Sequence, residues 1–345
     1  MCEHVFVRWD NLKVETEASH TLPGYREPAA VRTFDAPEAL DVRFYEVQAK
    51  SVLNKVPKAS RMPFRWTINP YRGCTHACTY CFARPTHTYL DFDAGRDFER
   101  EIVVKVNTPE VARGELMRRS WKHEHVALGT NTDPYQWVEK KYELLPGVWE
   151  AMRDSRTPSS VLTKSPLLLR DIELFKQIPS FAANLSIPTL DEKAWRASEP
   201  HTPHPRKRIE AVAELNRAGI PTGVLIAPLM PGINDSPEQV EEILELCGEA
   251  GAVSIGGICL HLRGEVRGVF MDWLRSYRPD LVPRYEALYA RGAYAPSVER
   301  ERLSRLVRSG RRELGLERDP ARNMGAREEA EPEMAAPPPE QASLF

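Results

Sequence analysis

The 345-residue chain has no apolar run approaching the roughly 18 residues that a membrane-spanning helix requires. Its opening, Met1-Cys2-Glu3-His4, lacks the basic-then-apolar order of an export signal. A charge bias is missing as well: 47 Lys and Arg stand against 49 Asp and Glu, a net charge of −2. No bulk attraction to nucleic acid is therefore visible, although a basic groove can sit inside a neutral total. Cysteine is scarce. Of the six, Cys2, Cys247 and Cys259 are scattered and too few for a disulfide framework, so a reducing, cytoplasmic compartment is expected.

The other cysteines are concentrated. Cys74, Cys78 and Cys81 share one short turn, Asn69-Pro70-Tyr71-Arg72-Gly73-Cys74-Thr75-His76-Ala77-Cys78-Thr79-Tyr80-Cys81. Three thiolates can hold three irons of a cubane 4Fe-4S cluster and leave the fourth open to a substrate or cofactor. The alternative is a zinc knot that adds His76 or His87, although zinc sites usually bring a second ligand pair from farther along the chain. Gly73 permits a close turn around a bound group, or is an ordinary turn glycine.

The C-x3-C-x2-C spacing, with aromatic Tyr80 before the last cysteine, resembles the signature of the radical S-adenosylmethionine superfamily. Further blocks narrow the resemblance: Asn69 to Cys74, Cys81-Phe82-Ala83-Arg84-Pro85-Thr86-His87, Gly129-Thr130-Asn131-Thr132-Asp133-Pro134-Tyr135-Gln136, and Thr163-Lys164-Ser165. Together they look like the spore photoproduct lyase-like group, often labelled DNA repair photolyases, over about Asn54 to Leu262. The resemblance implies a 4Fe-4S cluster on Cys74, Cys78 and Cys81, with S-adenosylmethionine on its open iron and a reductant such as flavodoxin or ferredoxin. Reductive cleavage then gives methionine and a 5′-deoxyadenosyl radical that takes hydrogen from the substrate.

The expected fold is α/β: a partial (β/α)6 TIM-like barrel with N- and C-terminal extensions. Residues 1–60 read as an N-terminal extension, 61–275 as the core barrel, 276–317 as a C-terminal helical segment and 318–345 as a disordered tail. Short β-rich runs alternate with helical patterns from Trp66 onward. Strands are expected at Trp66–Asn69, Ile102–Val106, His125–Leu128, Ser160–Thr163, Ala183–Ile187, Thr222–Ala227 and Val253–Leu260, with Ile102–Val106 an edge element outside the barrel. A helix over Arg206–Ala218 places Ile209, Val212, Ala213 and Asn216 on one face, with Gly219 as its cap. Another runs from Pro237 to about Ala250, opened by a Ser236/Gln239 capping box, with Val240, Ile243, Leu244 and Cys247 as its apolar stripe. Cys247 is read there as a small buried hydrophobe.

Chemistry in such barrels gathers at the carboxyl ends of the strands. Many relatives use a Gly-Gly-Glu stretch for the cofactor's amino group, whereas this chain has Gly129-Thr130-Asn131-Thr132-Asp133. Thr130, Thr132 and Asp133 can accept from an ammonium, or Asp133-Pro134 starts a turn. Lys164, closing the third strand, is a cation that could face the methionine carboxylate, or a solvated surface lysine; Ser186 is placed for the ribose hydroxyls, and by the resemblance Tyr80 sits near the adenine, its other reading being core packing. Arg206 is either a carboxylate partner or a helix-start residue. Spore photoproduct lyase returns hydrogen from a cysteine; Cys259 is a candidate for that role, with buried packing as its other reading.

Beyond a helix expected at Val298–Leu314, with Leu303, Leu306 and Val307 as its stripe, composition turns to Ala, Glu and Pro. The last residues, Gln341-Ala342-Ser343-Leu344-Phe345, resemble the pentapeptide with which bacterial repair proteins dock on the DNA polymerase sliding clamp, Gln341, Leu344 and Phe345 being the contact residues. The expected function is a radical enzyme acting on damaged DNA. The same chemistry on a small-molecule, peptide or RNA substrate is an alternative, as is a metal-stabilised, non-catalytic interaction protein of DNA repair.

Overall fold

The computed structural model describes residues 12–13, 21–57, 60 and 62–315. The expected tail at 318–345, with Gln341, Leu344 and Phe345, lies outside the described residues, as does Cys2. Among the described residues the strands are β1 (Leu12–Lys13), β2 (Ala30–Phe34), β3 (Arg43–Val47), β4 (Leu53–Lys55), β5 (Trp66–Ile68), β6 (Tyr71–Arg72), β7 (Glu101–Lys105), β8 (Val126–Leu128), β9 (Ser159–Thr163), β10 (Ala182–Ser186), β11 (Thr222–Leu229) and β12 (Ile255–Cys259).

Seven of them form one sheet in the order β12-β11-β10-β9-β8-β5-β4. From β5 to β12 every pairing is parallel, and β4 adds an antiparallel edge. Six parallel strands joined by helical crossovers are the expected partial barrel, and it is open, with β4 and β12 at its two ends. Strands covered on both faces read as continuous apolar runs rather than alternating ones; Val126, Ala127 and Leu128 of β8 are all buried. Parallel pairing also directs every carboxyl end to the same side.

The expected barrel strands form within two residues of their expected bounds. The Ile102–Val106 run forms β7, outside the barrel but not at an edge. It lies between β3 and β6 in a second sheet of order β1-β2-β3-β7-β6. The N-terminal segment therefore does more than lie along the core. Its β2 and β3 build that second sheet, which ends in β6, one residue before Gly73 and Cys74.

Two helices follow the expected capping chemistry. Pro237–Glu249 opens with the Ser236/Gln239 capping box and buries Val240, Ile243, Leu244 and Cys247; burial pushes the Cys247 thiol up to about 12. Pro205–Arg217 buries Arg208, Ala211, Val212 and Leu215. The expected Ile209, Val212, Ala213, Asn216 face is thus rotated by about one position, because Arg208 turns inward. The C-terminal helix Ser297–Glu313 packs Leu303 and Val307 into the main core beside Leu244 and Ile255, with Leu306 partly buried against it. No helix among the described residues is long and apolar enough to cross a membrane.

Candidate active site

The cysteine turn follows β6, just beyond the end of β5, and is held from three directions. Below it, the guanidinium of Arg84, wholly buried, donates to Cys78 O at 3.0 Å, Ala77 O at 3.3 Å, Ala94 O at 3.1 Å and Gly95 O at 2.7 Å, and pairs with Glu99. A planar fork of five donors can satisfy four carbonyls and a carboxylate at once, whereas a lysine ammonium has only three donors. From the side, Gln136 donates to Gly73 O at 3.2 Å and accepts from Thr75 N at 3.0 Å. From the far side, Thr79 N donates to Ser198 O at 3.0 Å. Gly73 has φ +77°, and a Cβ there would meet Ile102 Cδ1, Phe98 O and His87 Cε1 at 2.9–3.1 Å. Its close approach is therefore to protein rather than to a bound group.

A cavity open to solvent lies at the carboxyl ends of the barrel strands. Cys74, Cys78, Cys81 and Tyr80 line one wall, Thr132, Asp133, Lys164 and Ser186 the floor strands, and Cys259 the wall at the end of β12. Thr130 is half-buried and does not line it. Its neighbour Asn131 does, at a position not singled out in the sequence. Gly129 has φ +79°, and a Cβ there would stand 1.8 Å from Leu162 O, so the chain passes directly against β9 at this turn.

The floor residues are already hydrogen-bonded. Asp133 accepts from Tyr135 N at 2.9 Å, Thr163 Oγ1 at 2.6 Å and Lys164 N at 2.7 Å, which is the turn reading of Asp133-Pro134 joined to a brace across β8 and β9. His76 Nδ1 stands 3.4 Å from Asp133 Oδ2, an ion-pair distance without hydrogen-bond alignment. The hydroxyl of Thr132 donates to Tyr71 O at 3.0 Å. Lys164 donates to Ser186 Oγ at 2.6 Å and pairs with the fully buried Glu199 at 2.9 Å. Glu199 also meets Arg208 Nη2 at 2.5 Å and accepts from the Tyr80 hydroxyl. Burial opposes the Glu199 charge, but Arg208 and Lys164 outweigh it and hold the carboxyl well below the usual range. Two cations against one carboxylate leave this buried network with one excess positive charge beside the cavity.

Sequence reasoning did not find Glu199 or Arg208. Arg206, which it weighed, is exposed and paired with Glu242 at 2.8 Å. Cys259 is partly buried at the carboxyl end of β12, its Sγ 3.6 Å from Leu260 O, and burial pushes its thiol up to about 11.

The donor set fits a cluster better than a zinc knot. Cys74, Cys78 and Cys81 are free thiols facing one cavity. Burial, then Glu199, raises Cys78 well above the ordinary thiol value; burial, then Cys74, pushes Cys81 up to about 11. A bound cationic centre supplies the charge these ligands need to ionise. His87 does not line the cavity and instead stacks on Phe92 at 5.2 Å; His76 does line it, beside Cys74, and stands against Asp133.

An open parallel half-barrel whose strand ends carry a three-cysteine turn and a cavity is the architecture of a cofactor-dependent α/β enzyme. The chain belongs to the radical SAM superfamily, whose profile matches residues 68–247, and it is an enzyme of that superfamily. It is 47% identical over 290 residues to an uncharacterized protein of Mycobacterium tuberculosis, covering 83% of this chain and 85% of that one. A radical SAM Nalpha-GlyT isomerase of Pseudomonas phage M6 is 27% identical over 165 residues, 48% of this chain and 33% of that protein. The fold matches that of spore photoproduct lyase complexed with dinucleoside spore photoproduct at TM-score 0.60 and 15% identity, covering 78% of this chain and 79% of that one.

Proposed function

We propose that Cys74, Cys78 and Cys81 hold a 4Fe-4S cluster whose open iron binds S-adenosylmethionine, and that the enzyme acts on damaged DNA. When bound and reduced by a flavodoxin- or ferredoxin-like donor, this pair supplies a one-electron cleavage to methionine and a 5′-deoxyadenosyl radical. The observation that carries the reading is the convergence of three free thiols, on a turn pinned by Arg84 and Gln136, upon one cavity.

The chain's own residues divide the remaining work. Arg84 and Gln136 fix the spacing of the thiols. Lys164 presents its share of the excess positive charge to the methionine carboxylate, oriented by Glu199 and Ser186. Tyr80, held by Glu199, gives the adenine a rigid aromatic wall. Thr132, Asp133 and the unforeseen Asn131 line the side where the ammonium is expected. Cys259 lines the opposite wall, within reach of the same space as a candidate hydrogen donor.

Damaged DNA as substrate is supported by the fold shared with spore photoproduct lyase and by the sequence blocks around the cysteines. The test is 5′-deoxyadenosine release by reconstituted enzyme with ultraviolet-irradiated DNA beside intact DNA. Stimulation by irradiated DNA alone is expected. Equal rates with both, or with neither above background, would remove the damaged-DNA reading.

A further inference from the structure

Few large apolar side chains are exposed among the described residues, yet Phe82, Ile258 and Tyr294 are; Phe82 and Ile258 line the active-site cavity, and Tyr294 stands outside it against His261, which also lines it. Phe82 follows the last cysteine directly. Its ring stands 6.1 Å from that of His261, which stacks on Tyr294 at 5.7 Å and 24°. The guanidinium of Arg263 lies 5.6 Å from the Tyr294 ring and donates to its hydroxyl. Phe82, His261, Tyr294 and Arg263 thus form a continuous row from the cavity wall to the outer surface. Phe82 and Tyr294 are each 51% exposed, so both rings reach solvent.

The row is built rather than accidental. Leu262 N donates to Ala293 O at 2.8 Å, and His261 and Tyr294 pair as an isolated antiparallel bridge, so backbone fixes the stack. Burial, then Arg263, lowers the His261 pKa, which keeps its ring uncharged at neutral pH. Flat uncharged rings beside an exposed guanidinium suit a ligand with a π face and an attached anion. An unpaired base with its phosphate has both, and stacking on aromatic side chains is how single strands are held without sequence preference. A base inside a duplex has neither face free, so chemistry on it requires extrusion.

We infer that Phe82, His261, Tyr294 and Arg263 receive an unpaired base of a single DNA strand and lead it to the cavity. This rests on the DNA reading above and deepens it. No covalent step is involved.

The experiment titrates reconstituted full-length enzyme with a labelled oligothymidylate, beside a duplex and an oligouridylate of equal length. The DNA single strand is expected to bind most tightly. Tyr294→Ala should weaken it about tenfold, within the range known for loss of one base stack. Tyr294→Phe should retain affinity because the ring carries the contact, and Arg263→Gln should lose a few-fold. Basal 5′-deoxyadenosine release without DNA should be unchanged in Tyr294→Ala, since Tyr294 does not line the cavity. Wild-type affinity in Tyr294→Ala, equal binding of duplex, or tighter binding of oligouridylate would each overturn the inference. Tyr294-dependent binding of the DNA strand by enzyme that releases no 5′-deoxyadenosine would uphold it and overturn the radical chemistry instead.

Discussion

Lys105 is a cation in a strand that suits a neutral side chain. It is buried in β7, donates to Asn69 O at 3.0 Å, and has its pKa lowered to about 7 by burial, then by Arg72. Below about pH 7 the folded and unfolded chains both carry its charge, and the folded state bears the full cost of burying it. Between about 7 and the unfolded value near 10.4 the unfolded chain holds the extra proton, so stability rises with pH, by at most about 1.4 kcal/mol per unit. Lys105→Met should therefore gain most over the wild type at pH 6, and the difference should shrink steadily toward pH 9. Urea unfolding of both proteins at several pH values measures it; a pH-independent difference would contradict the assignment. At this scale the sequence was legible where residue type and periodicity dictate placement, as with Cys247, which is buried as expected. It was silent on Arg208, which in Arg206-Lys207-Arg208 reads as another solvated cation. Only its register against Ser186 O, at 2.8 Å, and Glu199 buries it.

Among elements, the cysteine turn depends most on distant support. The blocks that accompany the cysteines in the sequence have mechanical explanations: Arg84 and Gln136 hold the turn, and Asp133 ties β8 to β9. Arg84→Lys keeps the charge but cannot reach all four carbonyls, and each buried carbonyl left alone costs about 1–3 kcal/mol. The variant should fold with reduced stability and retain less iron per chain after reconstitution. Iron content and unfolding free energy both equal to wild type would refute the clamp. Barrel strands and the Ser236/Gln239 cap were legible because periodicity and capping are local. The second sheet was not, because β3 and β7 pair across more than fifty residues of chain, through Phe44 and Ile102 among others, and no local pattern announces a partner that far away.

For the molecule as a whole, the comparisons establish the superfamily and the fold, while the path to DNA is this account's own reading. Recruitment belongs to the same scale. Gln341, Leu344 and Phe345 resemble a sliding-clamp peptide, and we propose that they bring the enzyme to replicating or repaired DNA. Leu344→Ala with Phe345→Ala should abolish binding to the purified clamp in surface plasmon resonance and leave S-adenosylmethionine cleavage intact. Unchanged affinity would dismiss that partner. Recruitment matters only if the three thiols support radical chemistry. The most direct test of that chemistry is 5′-deoxyadenosine formation from S-adenosylmethionine by anaerobically reconstituted protein under a strong reductant, with Cys78→Ala alongside. Product is expected from the wild type and none above background from the variant. An intact cluster with bound cofactor and no product, or equal product from Cys78→Ala, would contradict it.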